Sequence, residues 1–300
     1  MITKFLDYVE IKTKITSVFA FALSLSYLFA LGVHINWRLT WIFFAGMLLF
    51  DLTTTSINNY IDTKTNKLPL QFKRPVAKAI IFTLLCASIF FGLLLVILTD
   101  VVVLITGGLC FLIGIFYTYG PIPISRQPWG EVFSGVLYGF FIPFLILYVN
   151  MPDGTYLNLT IGWDVVSFQA NVVPLIHLGL ISIAPVCTTA NIMLANNICD
   201  LERDIRVKRY TLPYYLGGRS LHLFAGLYYV TYLASIVMAL MGMISPIALV
   251  SLLTLIPVQK NISIFLKKQE KENTFNVSIK NYLWIMNGNI LGFVLTGLIT

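Results

Sequence analysis

Nine apolar runs govern what this chain can fold into. They lie near 15–34, 39–58, 77–98, 101–117, 129–149, 171–196, 219–241, 244–263 and 281–299, and a helix of roughly 20 apolar residues is enough to cross a bilayer. Lipid offers a backbone amide or carbonyl no partner, so each run has to satisfy its own backbone as a helix. Gly107, Gly108, Pro143 and Pro185 sit inside the runs, where membrane helices tolerate them better than soluble ones do. With 58% hydrophobic residues, 11% charged residues and a mean hydropathy of +0.84, the composition excludes an ordinary soluble domain. The expected fold is all-α, a polytopic membrane protein whose residues 1–300 form one membrane-embedded domain of nine transmembrane helices. The fourth run is short, and its separation from the third rests on a turn at Asp100.

Charge supports that count. With nine spans, the N-terminus shares one side of the membrane with the second, fourth, sixth and eighth loops. All but Arg38 of the 20 Lys and Arg then fall on that side. Positive loops stay cytoplasmic, so the N-terminus is expected inside and the C-terminus outside. The net charge of +7 reports orientation and attraction to anionic headgroups. No interleaved basic and aromatic module points to nucleic acid. Asp7 and Glu10 precede the first run and no small-residue cleavage site follows it, so this segment reads as a retained helix and not a signal peptide. Cys86, Cys110, Cys187 and Cys199 form no CxxC pair and read as packing residues.

Chemistry concentrates in two short stretches. "NNICDLERD", residues 196–204, closes the sixth run, and Asp200 and Asp204 stand four apart, one helical turn from each other. "NNYIDTKTN", residues 58–66, closes the second run. Both fit N-N-x-x-D-x-x-x-[N/D], both end an apolar span, and both belong to the inferred cytoplasmic side. Repeated halves are common in membrane proteins, and sites form where they meet. Each span presents its C-terminus, the negative dipole end, to that side. Asn and Asp oxygens on two such ends facing one another would hold Mg²⁺, which takes one or two carboxylates together with water and substrate phosphates. A bound cation also removes the repulsion between Asp200 and Asp204.

Bases surround the acids. Lys64, Lys67, Lys73 and Arg74 follow the first stretch; Arg203, Arg206, Lys208 and Arg209 follow the second. A third loop of the same side, "YTYGPIPISRQPWGE", carries Tyr117, Tyr119 and a single base, Arg126. Acids for metal, bases for phosphate oxygens and adjoining hydrocarbon describe a site for a lipid diphosphate. Many of these lysines also serve as plain positive-inside anchors.

At these residues the sequence resembles the UbiA superfamily of intramembrane prenyltransferases. That family carries N-D-x-x-D-x-x-x-D after its second helix and D-x-x-x-D after its sixth, in a nine-helix fold. Here they read as Asn58-Asn59-x-x-Asp62-x-x-x-Asn66 and Asp200-x-x-x-Asp204. "EIKTK" at 10–14, "YGPIPISRQPWGEVFSG" at 119–135 and "ANNICDLERD…TLPYYLG" at 195–217 are most similar to its menaquinone-pathway branch, the 1,4-dihydroxy-2-naphthoate polyprenyltransferases. Asn59 and Asn66 replace the usual Asp, and Lys208 stands where Gly is usual.

The resemblance implies Mg²⁺-dependent transfer of a polyprenyl group from an isoprenyl diphosphate to an aromatic acid. Asp62, Asp200 and Asp204 become the metal-holding catalytic residues. Asn58, Lys64, Tyr117, Arg126, Asn197 and Lys208 become substrate-binding candidates: Lys64, Arg126 and Lys208 toward diphosphate (Arg126 alternatively toward the aromatic acid), Tyr117 toward the allylic cation, Asn197 as a shaper of the helix end. The implied partners are polyprenyl diphosphate, the aromatic acceptor and the bilayer, in a bacterial cell membrane with the site facing the cytoplasm.

Other polar residues in or beside the runs are weighed the same way. Asp51 shares a helix face with Asn58 and Asp62 and is either part of the site or the partner of a polar neighbour. Glu131 reads as structural, Glu202 as solvated, and Asn287 and Asn289 around Gly288 as helix-packing residues. His34, His177 and His222 have no ligand spacing. Residues alone leave two other readings open: a transporter of a small or lipidic solute, and a lipid-binding relative without catalysis.

Overall fold

The computed structural model describes residues 1–65 and 69–299, with Lys64 and Thr65 described by their backbone only. Among the described residues, nine helical segments are long and apolar enough to cross a membrane. They are Ile11–Ala30, Trp37–Thr63, Arg74–Leu98, Val101–Thr118, Gly130–Asn150, Val172–Cys199, Arg219–Leu240, Pro246–Lys267 and Asn276–Ile299. Each matches one expected run. The chain divides into two compact units, Met1–Val18 with Asn36–Ile124, and Phe19–Ile35 with Ser125–Thr300.

The first unit contains α1 (Ile2–Tyr8), a 3₁₀ turn (Ile11–Lys14), the first turn of α2 (Ile15–Ala30), α3 (Trp37–Thr65), α4 (Arg74–Leu98) and α5 (Val101–Thr118). The turn expected at Asp100 is present and has a cause. The Asp100 carboxylate accepts from the amides of Val102 and Val103 at 2.8 and 3.3 Å and so caps α5. Its core joins Tyr8, Val9, Leu52, Ala77 and Leu84. Buried in the same unit, Lys14 donates to the Asp51 carboxylate at 2.7 Å and also to Thr55 Oγ1, and Ser17 donates to the second Asp51 oxygen at 2.6 Å. Asp51 is therefore the partner of a polar neighbour, and a charge that would be intolerable alone in a span is neutralised inside the helix bundle.

The second unit holds the rest of α2 and a longer series. α6 (Gly130–Val136) runs through a π-helical turn (Leu137–Phe141) into α7 (Ile142–Asn150). A hairpin of β1 (Leu157–Ile161) and β2 (Val166–Ala170) leads to α8 (Val172–Cys199), then the short α9 (Leu201–Arg206) and α10 (Leu212–Leu216). α11 (Arg219–Leu240), a 3₁₀ stretch (Pro246–Thr254), α12 (Leu255–Lys267) and α13 (Asn276–Ile299) complete it. Like the short α1, α9 and α10, the hairpin escapes a search for apolar runs, here because strict alternation of apolar and polar residues lowers its mean hydropathy below that of a span.

Small residues set the helix approach that matters for the site. Gly135 of α6 and Gly139 of the π-helical turn follow Glu131 at intervals of four residues, and a Cβ built on Gly135 would meet the Val186 carbonyl at 2.8 Å, while one on Gly139 would overlap the Val186 backbone. Such close approach is the usual use of small residues between membrane helices. It clamps the fifth span on the sixth. Gly288 behaves likewise against Thr254, and Asn289 accepts from Ser235 at 3.1 Å, as expected of packing residues. Asn287 is exposed and donates to its own helix at Leu283.

Candidate active site

The first motif lies on helix, not after it. α3 continues past the expected end at 58 to Thr65, so Asn58 and Asp62 stand one turn apart on one face. Both are half-buried. Thr118, at the end of α5, donates to Asn58 Oδ1 at 3.3 Å, which brings the start of the Tyr117 loop to the motif. Asn59 turns elsewhere: its amide donates to the Tyr8 carbonyl at 2.9 Å. An aspartate has no donor for that bond, so the departure from the family pattern gives the N-terminal helix a tether. Tyr60 receives the Arg74 guanidinium, which donates to its carbonyl at 3.2 Å and lies 5.1 Å from its ring centroid. The Lys64 side chain, Asn66 and Lys67 lie outside the described residues.

The second motif breaks its helix. α8 ends at Cys199 and α9 begins at Leu201, with Asp200 between them at φ −94°, ψ 4°. The Asp204 amide still donates to the Asp200 carbonyl at 2.8 Å, so the two acids keep a helical turn between them despite the break. Their surroundings differ. Asp200 is partly open and receives Lys271 Nζ at 2.6 Å; the same ammonium donates to Asn196 Oδ1. Asp204 is buried, with Arg209 Nε at 3.7 Å from its Oδ1. Burial pushes the Asp204 carboxyl above the usual aspartate range, Arg209 pulls it back, and the neighbouring Asp200 charge raises it again. Each of these acids is therefore held beside a cation supplied by the chain.

The segment after α9 gathers the third loop. Lys208 adopts φ +57°, and the Arg209 amide donates to the Asp204 carbonyl at 2.8 Å. Arg209 then donates to the Ser125 carbonyl at 3.2 Å, and the Tyr210 amide to the Arg126 carbonyl, also at 3.2 Å. The Arg126 backbone is thus tied to the segment that follows the second motif, whereas Lys208 is exposed. The left-handed backbone at Lys208 explains why glycine is usual there, since a Cβ is strained in that region. Lys208→Gly is expected to raise the unfolding free energy by about 0.5–1 kcal/mol, the relieved left-handed strain less the extra freedom glycine gives the unfolded chain, read as a higher melting temperature of the purified protein.

Glu131 and Asn197 form the support under the motif. Both are buried, and Asn197 donates to Glu131 Oε1 at 2.8 Å across the Gly135–Gly139 approach. Glu131 Oε2 has no hydrogen-bond partner among the described residues. Asn197→Leu leaves the whole carboxyl unpaired and should cost about 1–3 kcal/mol of stability. Glu131→Gln keeps an acceptor toward Asn197 and should cost less than that; chemical unfolding of the two variants compares them directly. Glu202 is exposed, as expected. Lys271 is the residue that sequence reasoning misses. It stands 71 residues beyond Asp200, in a loop whose other lysines look equally suited to anchoring.

Fold and side-chain placement define a polytopic helical membrane protein whose motif acids Asp62, Asp200 and Asp204 lie at or just past helix ends. A family model described as the UbiA prenyltransferase family matches residues 17–285, and the chain belongs to that family of prenyltransferases. Over 135 residues it is 30% identical to the 1,4-dihydroxy-2-naphthoate octaprenyltransferase of Bacillus subtilis (strain 168), a stretch covering 45% of this chain and 37% of that protein. The match therefore spans little more than a third of the relative's length. Among solved structures, one of digeranylgeranylglyceryl phosphate synthase aligns with all of the chain and 99% of its own, at TM-score 0.68 and 17% identity. A UbiA homolog from Aeropyrum pernix K1 gives TM-score 0.65 at 17% identity over 91% of this chain and 97% of its own. A UbiA homolog from Archaeoglobus fulgidus bound to GPP and Mg²⁺ gives 0.64 at 15% identity over 99% and 98%. At these identities the likeness is one of fold.

Proposed function

We propose that this chain transfers a polyprenyl group from an isoprenyl diphosphate to 1,4-dihydroxy-2-naphthoate, releasing diphosphate and CO₂, at the cytoplasmic face of a bacterial cell membrane. Membership of the family gives the reaction class, and the naphthoate relative supports the acceptor. The observation that carries the reading is the second motif, where Asn196, Asp200 and Asp204 turn oxygen donors toward cations on a broken helix end.

Mg²⁺ fits this donor set. It is a hard ion that takes carboxylate and amide oxygens, and an ammonium already stands against two of them. Among the described residues no group of three or more His, Cys, Asp or Glu gathers as a metal cage, so these side chains would share the ion with water and phosphate oxygens. An ion held there would supply positive charge against the diphosphate as the allylic C–O bond breaks. Asp62 with Asn58, and Asp200 with Asp204, are the residues that would hold the metal-bearing head. Arg126, Lys64 and Lys208 supply charge to the phosphate oxygens. The ring face of Tyr117 stabilises the allylic cation, and the apolar spans keep water from it. The naphthoate ring carbon bearing the carboxylate attacks the cation, a C–C bond forms, and the carboxylate leaves as CO₂ with its bonding electrons restoring the aromatic ring.

Membranes containing the protein, incubated with labelled prenyl diphosphate and a panel of aromatic acids with and without EDTA, test this. Expected are EDTA-sensitive diphosphate release and a decarboxylated prenyl naphthoquinol. Passage of a solute without bond cleavage would support a transporter instead. Product with a different aromatic acid would keep the prenyltransferase and change its acceptor.

A further inference from the structure

We propose that Lys271 is the resident counter-ion of the second motif: its ammonium occupies the oxygens of Asn196 and Asp200, keeps free metal off them, and gives way when metal arrives with a diphosphate. The inference rests on the prenyltransfer reading above and adds an order of loading to it. Lys271 is not a loosely hung surface lysine. The turn that carries it is tied together: Glu270 accepts through its carbonyl from the amides of Thr274 and Phe275 at 2.9 and 3.0 Å, and its own amide donates to Thr274 Oγ1 at 2.8 Å. Phe275 packs on the core cluster of the unit, and the ammonium lies 5.0 Å from its ring centroid. The Asp200 bond of 2.6 Å completes the seat.

An ammonium so placed and a divalent ion compete for the same oxygens and repel each other. Mg²⁺ sheds water reluctantly, so against a tethered cation the bare ion binds poorly. A metal diphosphate brings net negative charge, and the displaced ammonium then has phosphate oxygens to donate to. Free metal is refused and metal diphosphate is admitted.

Full-length protein in lipid nanodiscs, titrated with Mn²⁺ and followed by electron paramagnetic resonance, tests this without turnover. Lys271→Met should bind Mn²⁺ alone about tenfold more tightly than wild type, the effect of removing one charge a few ångströms from the ion. With inorganic pyrophosphate present, the advantage should vanish or reverse. Lys271→Arg should keep the wild-type affinity for Mn²⁺ alone. Lys271→Gln, uncharged but still a donor, repeats the test should the Met variant fold poorly. Equal affinity of Lys271→Met and wild type, or equal tightening in Lys271→Arg, overturns the inference. If no variant and not even wild type binds Mn²⁺ with pyrophosphate, the prenyltransfer reading itself falls.

A separate observation carries a second inference. The register of the hairpin, with Leu159 opposite Phe168 and Ile161 opposite Val166, sorts its residues completely. Leu157, Leu159, Ile161, Val166, Phe168 and Ala170 share one face, and Asn158, Thr160, Ser167 and Gln169 the other. Ile161, Val166 and Phe168 are 58–64% exposed and Trp163 at the tip is fully exposed. The apolar face continues into exposed Val172, Val173 and Ile176 at the start of the sixth span. The geometry points to a hairpin lying in the headgroup boundary of the bilayer, with Trp163 as its anchor. In proteoliposomes, the fluorescence lost on Trp163→Phe should be the part quenched by lipids brominated near the headgroup. Quenching of that part by aqueous iodide alone overturns this. So does protection from both quenchers with a dimer that Trp163→Phe dissociates, which would assign the face to a second copy.

Discussion

Asp200→Asn and Asp204→Asn are each expected to lower prenyl diphosphate turnover at least about a hundredfold, with little change in folding. The substitutions are isosteric, so packing stays. What changes is charge: a carboxylate that would hold a divalent ion becomes a neutral amide, and removing one preorganised electrostatic group from a site where charge develops commonly costs about 10²–10³ in rate. The two should not be equivalent in stability. Asp200 faces Lys271 on a partly open surface, where an ion pair is worth little. Asp204 is buried beside Arg209, whose Nε has no hydrogen-bond partner among the described residues, so its neutralisation leaves a guanidinium less well compensated. Diphosphate release from purified protein, alongside thermal unfolding, separates the two effects. Retention of activity within about threefold in either variant would remove that residue from the machinery.

The second large effect is structural. Lys14→Met should destabilise the protein by about 3–5 kcal/mol, because it strands the Asp51 carboxylate among apolar helices without its ammonium partner, leaving the Ser17 hydroxyl bond in place. The pair is 2.7 Å apart, and both residues are almost fully buried. Lys14→Met combined with Asp51→Leu should recover most of that loss, since a buried ion pair is often replaced by packed apolar groups at little cost. Equilibrium unfolding of single and double variants reads the coupling. Equal destabilisation of single and double variants would mean that the pair matters through packing alone.

Much of the fold was legible in the amino-acid order, for a physical reason. A bilayer enforces length and backbone closure, so the spans, the Asp100 turn and the all-α class follow from apolar runs. Boundaries were less so: α3 carries its polar motif as helix up to Thr65, because Asn and Thr side chains do not stop a helix by themselves. The reverse holds at Asp200, where an apparently continuous "NNICDLERD" helix breaks. The hairpin was invisible to a search for long apolar runs. Within the candidate site the acids announced themselves by spacing, and Arg126 by being the single base in its loop. Lys271, and the donor bond that makes Asn59 useful, depend on chain segments brought together by folding. No local pattern encodes such a meeting. The bond between Glu131 and Asn197 has a faint signal after the fact, since Glu131, Gly135 and Gly139 recur every four residues.

The proposed reaction requires the acids of both motifs for binding one metal diphosphate. A double-mutant cycle on Asp62→Asn and Asp200→Asn, read as the affinity for Mn²⁺ with pyrophosphate, addresses that directly. That requirement predicts that each single change weakens binding and that the pair is coupled, the double variant losing clearly less or more than the two separate losses combined. Strictly additive losses, or an Asp62→Asn variant that binds like wild type, would contradict it.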